Sequence, residues 1–171
     1  MMREHLTFDD VSMIPKYSEI TTRKNCWTGI NYAGIELSTP LIASPMDTVC
    51  DFEMAKGIGE LGGLGIIHRF NSFENQLQDF EELEKLNIPY GVAVGVGENS
   101  EHRIDQLLSW TNLNVMCIDV AHGHHKMVKD TIAYIKDIDE EMHILAGNIC
   151  TAEAAYDLEG WGADSLRVGI G

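Results

Sequence analysis

The chain alternates short, almost unbroken apolar runs with longer stretches in which apolar positions recur every three or four residues. PLIAS, GGLGIIH, YGVAVGV, VMCIDVAH, HILAGN and SLRVGIG are the short runs. Continuous apolarity, without in-and-out alternation, is the pattern of a strand buried on both faces, and it predicts a parallel sheet covered by helices. The intervening segments read as those helices. DFEMAKGIGELG opens with acidic residues that suit a helix N-terminus, and SFENQLQDFEELEKLN places Phe73, Leu77, Phe80 and Leu83 on one face. HKMVKDTIAYIKDIDEE repeats Met127, Ile132, Ile135 and Ile138 at near-helical spacing. Thr151 caps TAEAAYDLEGWG, and Ser100 caps SEHRIDQLLSWTNLN. About six βα steps result, more than a small flavodoxin-like sheet holds and fewer than the eight that close a barrel of about 250 residues. No linker or low-complexity tract divides the chain, which reads as one incomplete domain.

Composition narrows the function classes. The 171 residues are 44% hydrophobic and 23% charged, as in an ordinary folded domain. No apolar run approaches the roughly eighteen residues of a membrane span, and MMREHLTFDD lacks the apolar core of a signal peptide, so a cytoplasmic protein is expected. With 27 acidic and 12 basic residues the formal charge is −15, which repels phosphate backbones and anionic lipid over a Debye length of roughly 8 Å. Nucleic acid and membrane are therefore poor partners, whereas a small anion held by backbone N–H groups remains compatible. Cys26, Cys50, Cys117 and Cys150 lie far apart with no C-x-x-C pair, and read as buried free thiols rather than a disulfide framework.

In a parallel βα architecture, ligand groups gather where strands end. Those positions hold Ser44, Pro45, Met46 and Asp47; His68 and Arg69; Gly95 and Gly97; Asp119, Ala121, His122 and Gly123; Gly147 and Asn148; and finally Gly169 and Gly171. Ser44 and Asp47 suit a helix cap as well as a ligand, and Met46 suits packing. Asp119, beside an apolar run, needs donors, and sugar hydroxyls are good ones. His122, His124 and His125 have the look of a metal cluster, but neighbouring residues at a helix start rarely converge on one ion. The glycines let a ligand approach the backbone.

Taken together, LTFDDVSMIPKYSEI, STPLIASPMDTV, ELGGLGIIHRF, CIDVAHGHH, ILAGNICTAE and GADSLRVGIG resemble, in order, the N-terminal segment and successive strand-end motifs of the IMP dehydrogenase and GMP reductase family. The resemblance implies an α/β fold of the TIM (β/α)8 type, with about six of the eight βα units in this chain. It makes residues 1–36 a segment preceding the barrel and residues 37–171 the partial barrel. It implies oxidation of IMP to XMP with NAD, or reduction of GMP to IMP with NADPH, by a homo-oligomer, usually a tetramer. Position by position, Ser44 would lie near the nucleotide's phosphate and ribose, Met46 would pack on the purine, and Asn148 and Arg167 would lie near the reacting nucleotide. Asp119 would hold a ribose hydroxyl of the cofactor, beside Val120 and Ala121. Gly169, Ile170 and Gly171 would border the cofactor, with the Gly171 carbonyl on a potassium-like monovalent cation. Arg23, in TTRKN, aligns with a cofactor contact of the reductases.

Departures shape the expectation as well. In the family a loop with the cysteine nucleophile follows the glycine pair, whereas the sequence stops at Gly171, and none of its four cysteines stands in that context. The paired regulatory CBS modules common in dehydrogenases are replaced by FEELEKLNIPY alone, as in reductases. LTFDDV and GGLGIIH look more like dehydrogenases and DFEMA more like reductases, and IMP dehydrogenase is the first expectation. GMP reductase is the alternative, and a non-catalytic nucleotide-binding or regulatory remnant paired with full-length subunits is a third reading. A partial barrel is expected to leave two unpaired sheet edges, an open apolar interior and a tendency to associate, with a further copy or chain supplying the missing portion.

Overall fold

A computed structural model describes residues 8–110 and 112–169. Its first part is an extended, exposed arm with two short 3-10 turns, Phe8–Asp10 and Arg23–Asn25. The arm leads into an antiparallel hairpin, β1 (Ile30–Tyr32) and β2 (Ile35–Leu37), turned by Ala33 and Gly34 at φ 51° and 75°. This hairpin was not foreseen from the sequence, and it lies across the expected boundary at residue 36.

Six strands and five helices then alternate: β3 (Ile42–Ala43), α1 (Phe52–Glu60), β4 (Leu64–Ile67), α2 (Phe73–Lys85), β5 (Tyr90–Val94) and α3 (Glu98–Leu108). β6 (Val115–Asp119), α4 (Lys126–Ile138), β7 (His143–Ile149), α5 (Ala152–Gly160) and β8 (Ser165–Val168) complete the series. The strands pair in parallel in the order β3-β4-β5-β6-β7-β8 and curl into an open (β/α) half-barrel, the expected α/β architecture.

The four central strands, β4 to β7, bury both faces. Val92, Val94, Met116, Ile118, Ile144 and Ala146 turn outward into one core. There they meet Phe80 and Leu83 of α2, Ile104 and Leu107 of α3, and Val128, Ile132 and Ile135 of α4. Leu64, Ile66, Ala93, Val115, Cys117 and Leu145 turn inward to a second cluster. The interior is not left open at its N-terminal end, because the hairpin closes it. Leu37 is wholly buried there, with Tyr32, Ala33 and Ile35 packed around it.

Local signals set the helix starts. Asp51, Ser72 and Thr151 accept from the N–H groups of Met54, Asn75 and Ala154, as their side chains dictate. Two expectations are corrected. α3 begins two residues before Ser100, capped by Gly97 at φ 84°, and Ser100 lies in its first turn, donating to the Val96 carbonyl. α4 buries Val128, Thr131, Ile132 and Ile135, while Met127 and Ile138 at its two ends are exposed. No helix among the described residues is long and apolar enough to cross a membrane.

Candidate active site

The parallel register brings the C-terminal ends of the strands to one rim. Ser44 and Pro45 after β3, Asn148 in β7 and Arg167 in β8 line a cavity of about 340 Å³ that runs into the trough of the half-barrel. On its floor, beside Ile66 and Leu145, Tyr32 Oη and Ser165 Oγ lie 2.8 Å apart, and His143 Nε2, outside the lining, is 2.9 Å from the same Ser165 hydroxyl. These three residues stand at strand starts or in the hairpin, where reading strand ends alone overlooks them. A larger hollow of about 640 Å³ opens at the opposite end, beside Gly34, Glu36 and Glu84, and holds none of the expected residues.

Asp119, the last residue of β6, is in register with Gly147 of β7, which is in register with Arg167 of β8. The missing side chain at Gly147 opens a lane across β7, through which Arg167 Nη1 reaches and ion-pairs with Asp119 Oδ1. Both side chains are about four-fifths buried, at 20% and 21% exposure. Two residues expected at separate ligands, nucleotide and cofactor, are thus one bonded pair. Cys117 Sγ is 3.9 Å from the same guanidinium, and burial pushes this thiol up to about 12.

β7 breaks register with β8 between Gly147 and Ile149, at Asn148. Asn148 Nδ2 donates to the Gly169 carbonyl (2.8 Å), and Gly169, at φ 119°, donates its N–H to Ile149. Val120 N donates to the Gly147 carbonyl and Asn148 N to that of Val120, so the loop after β6 is sewn to the end of β7. Val120 is half-buried, whereas Ala121 and Met46 are exposed. Ile170 and Gly171, with the expected cation carbonyl, lie outside the described residues. Arg23 sits in a 3-10 turn on the exposed arm and is not joined to the rim by a hydrogen bond or ion pair among the described residues.

The remaining candidates have local tasks. His68 is buried, with Nδ1 accepting from Phe70 N and its carbonyl from Gln76 Nε2. His124 pairs with Asp157, and His125 Nδ1 caps α4 by accepting from Met127 N. Among the described residues no group of three or more His, Cys, Asp or Glu side chains is placed to hold a metal ion. Only Cys50 and Cys117 are buried, and burial raises Cys50 to about 11; Cys26 and Cys150 are exposed, a correction to the expectation of four buried thiols.

A curled parallel sheet with a carboxylate, a guanidinium, a carboxamide and a hydroxyl gathered at its C-terminal rim defines a barrel-type enzyme scaffold. The model of the IMP dehydrogenase / GMP reductase domain matches residues 5–171, and the chain belongs to that family of purine nucleotide oxidoreductases. It is 31% identical over 166 residues to the GMP reductase of Mycoplasma mycoides subsp. mycoides, covering 96% of this chain and 51% of that protein. It is 32% identical to the GMP reductase of Staphylococcus epidermidis over 165 residues, 96% of the chain and 50% of the relative. With the inosine-5'-monophosphate dehydrogenase of Borreliella burgdorferi the identity is 32% over 219 positions, 99% of the chain and 54% of the relative. The chain spans about half the length of these curated relatives.

Proposed function

We propose that this chain forms the nucleotide- and cofactor-facing side of a purine nucleotide oxidoreductase site, and that the reaction is reduction of GMP to IMP. The observation that carries the site is the joint placement of Ser44, Asn148 and Arg167 around one cavity, with Asp119 tied to its edge. The direction rests on the alignments. Those to the GMP reductases run to between 165 and 172 positions, about the length of this chain, whereas the dehydrogenase alignment runs to 219 and so spans an insertion that this chain lacks. The dehydrogenase reaction, the first expectation from the sequence, becomes the second reading, kept by the 32% identity to the Borreliella enzyme.

The residues present fit a nicotinamide dinucleotide. Asp119 offers a carboxylate to a ribose diol, half-buried Val120 an apolar shelf, and Gly169 a backbone without side-chain obstruction. The nicotinamide, when bound, supplies the hydride that replaces the amino group at the purine C2, with nitrogen leaving as ammonia. The chain's own part is orientation: Ser44 donates toward the nucleotide's phosphate and ribose, Met46 packs its thioether on the purine face, and Asn148 faces the reacting ring.

Loss of NADPH absorbance on adding GMP tests the reductase reading, and appearance of NADH from IMP and NAD the dehydrogenase reading. Calorimetric titration of the chain with IMP, GMP, NADPH and NAD tests the site itself. Absence of binding by all four overturns the oxidoreductase reading; binding without turnover favours the remnant.

A further inference from the structure

The geometry points to Arg167 as a positioning residue that acts through Asp119, holding the carboxylate in place for the cofactor rather than serving chiefly as a nucleotide contact; the inference rests on the oxidoreductase reading above. Asp119 and Arg167 are two strands apart, roughly 9.5 Å at the usual strand spacing. An aspartate side chain cannot cover that span alone, and an arginine can. The lane exists only because Gly147 stands between them. A methyl group placed there would lie 2.6 Å from Arg167 Cβ and 2.8 Å from its carbonyl oxygen, under the root of the crossing side chain.

The pair leaves Asp119 usable. Arg167 takes Oδ1 through Nη1. A carboxylate has two oxygens and sites for about four donors, so a diol can add to the pair without breaking it. Displacing the guanidinium would give up its opposite charge and leave it four-fifths buried without its carboxylate, which disfavours a mechanism in which Arg167 swings away. Four-fifths burial also keeps solvent from screening the pair, unlike the exposed Lys85–Glu82 bridge on α2. Fixed at one oxygen, the carboxylate plane is set before any ligand arrives, and the ordering cost of binding falls.

The test is a double-variant cycle on the full chain, read by titration with NADPH and, separately, with IMP. Arg167→Met is expected to weaken NADPH by about ten-fold or more, the scale of one lost hydrogen bond to a charged group, with the smaller loss on IMP. Arg167→Lys restores part of the NADPH affinity, which a purely packing role would not predict. In an Asp119→Asn background Arg167→Met adds little further loss, because the partner it serves is gone. If the two losses simply add, Arg167 contributes only its charge to an anionic cofactor, and the inference is overturned. It is equally overturned if NADPH affinity is unchanged while IMP affinity collapses. A wild-type chain that binds neither compound removes the oxidoreductase reading and this inference with it, an outcome distinct from wild-type binding that Arg167→Met leaves intact.

Discussion

Gly147 carries more of the rim than any side chain beside it, because its neighbours cross the space a side chain would fill. Gly147→Ala brings a Cβ to 2.6 Å from Arg167 Cβ and 2.8 Å from its carbonyl oxygen, so β8 must shift against β7 to admit it. Overpacking of this kind costs about 1–3 kcal/mol, so a lower midpoint in thermal or urea unfolding is expected, together with weaker NADPH binding as Arg167 is pushed off Asp119. The individual rim residues were legible in the sequence: Ser44, Asp119 and Asn148 follow apolar runs, and a polar group at such a place stands out. Their pairing was not legible. Whether Arg167 faces Asp119 depends on the register of three strands at once, and no single segment encodes that. The trough floor was hidden for a similar reason, since Tyr32, His143 and Ser165 belong to three elements far apart in sequence. His143 there yields a pH prediction. Burial disfavours its imidazolium and holds it below the ordinary 6.5, against the pull of Asp164 and with the push of Lys136. Tyr32, packed edge-on at 4.9 Å, and Ser165 complete its surroundings. A base with a depressed folded value favours the fold when neutral, so its contribution is present above pH 6.5 and is lost as pH falls through the lower folded value. Urea unfolding at pH 7 and at about pH 5 is expected to show a drop in stability that His143→Gln reduces; an identical drop in the variant contradicts this account.

At the scale of elements, the five helices and the six parallel strands were legible because two-sided burial and 3.6-residue periodicity leave strong patterns. The hairpin was not. Its strands are only three residues long, and its turn is Ala33-Gly34 rather than the Asn-Gly or Asp-Gly that marks such turns. Ala33 adopts φ 51°, where an L-residue with a Cβ is strained by roughly 1–2 kcal/mol and asparagine by less. Ala33→Asn is therefore expected to raise stability by about 0.5–1 kcal/mol. Hydrogen exchange of the Leu37 amide should slow in the variant if the hairpin closes the trough as a unit; unchanged or faster exchange would show that the turn does not limit its attachment. The misplaced start of α3 has the same root. Ser100 is a good cap by residue type, but Gly97 adopts a backbone conformation that ends the preceding loop three residues earlier. α4 differs from expectation at its ends, where Met127 and Ile138 fit the helical period yet are exposed.

For the whole molecule the surface is the telling quantity. A compact monomer of 19.0 kDa exposes about 8,400 Å² by the usual scaling, and this chain exposes 11268 Å². The excess, near 2,900 Å², is at least what one partner gives to a permanent protein interface, about 1,000–2,500 Å² per side. Large exposed apolar side chains are prominent in two places. One is the pair of sheet edges, where Leu41 just before β3, Ile42 within it and Val168 of β8 are exposed. The other is the arm, where Met13, Ile14, Tyr17 and Trp27 are mostly exposed. Unpaired edges and exposed apolar groups of this extent drive association. The charge of −15 opposes it, but only over the Debye length, roughly 30 Å in 0.01 M salt and 8 Å at 0.15 M. Short-range burial therefore outweighs repulsion once salt is present, and association of the 171-residue chain should strengthen as salt rises from 0.01 to about 0.15 M. Light scattering at micromolar protein is the measurement: a mass well above 19.0 kDa at the higher salt is expected. A single 19.0 kDa species with one cooperative unfolding transition at both salts would mean that the edges and the arm are satisfied within one chain, in an arrangement other than this open half-barrel.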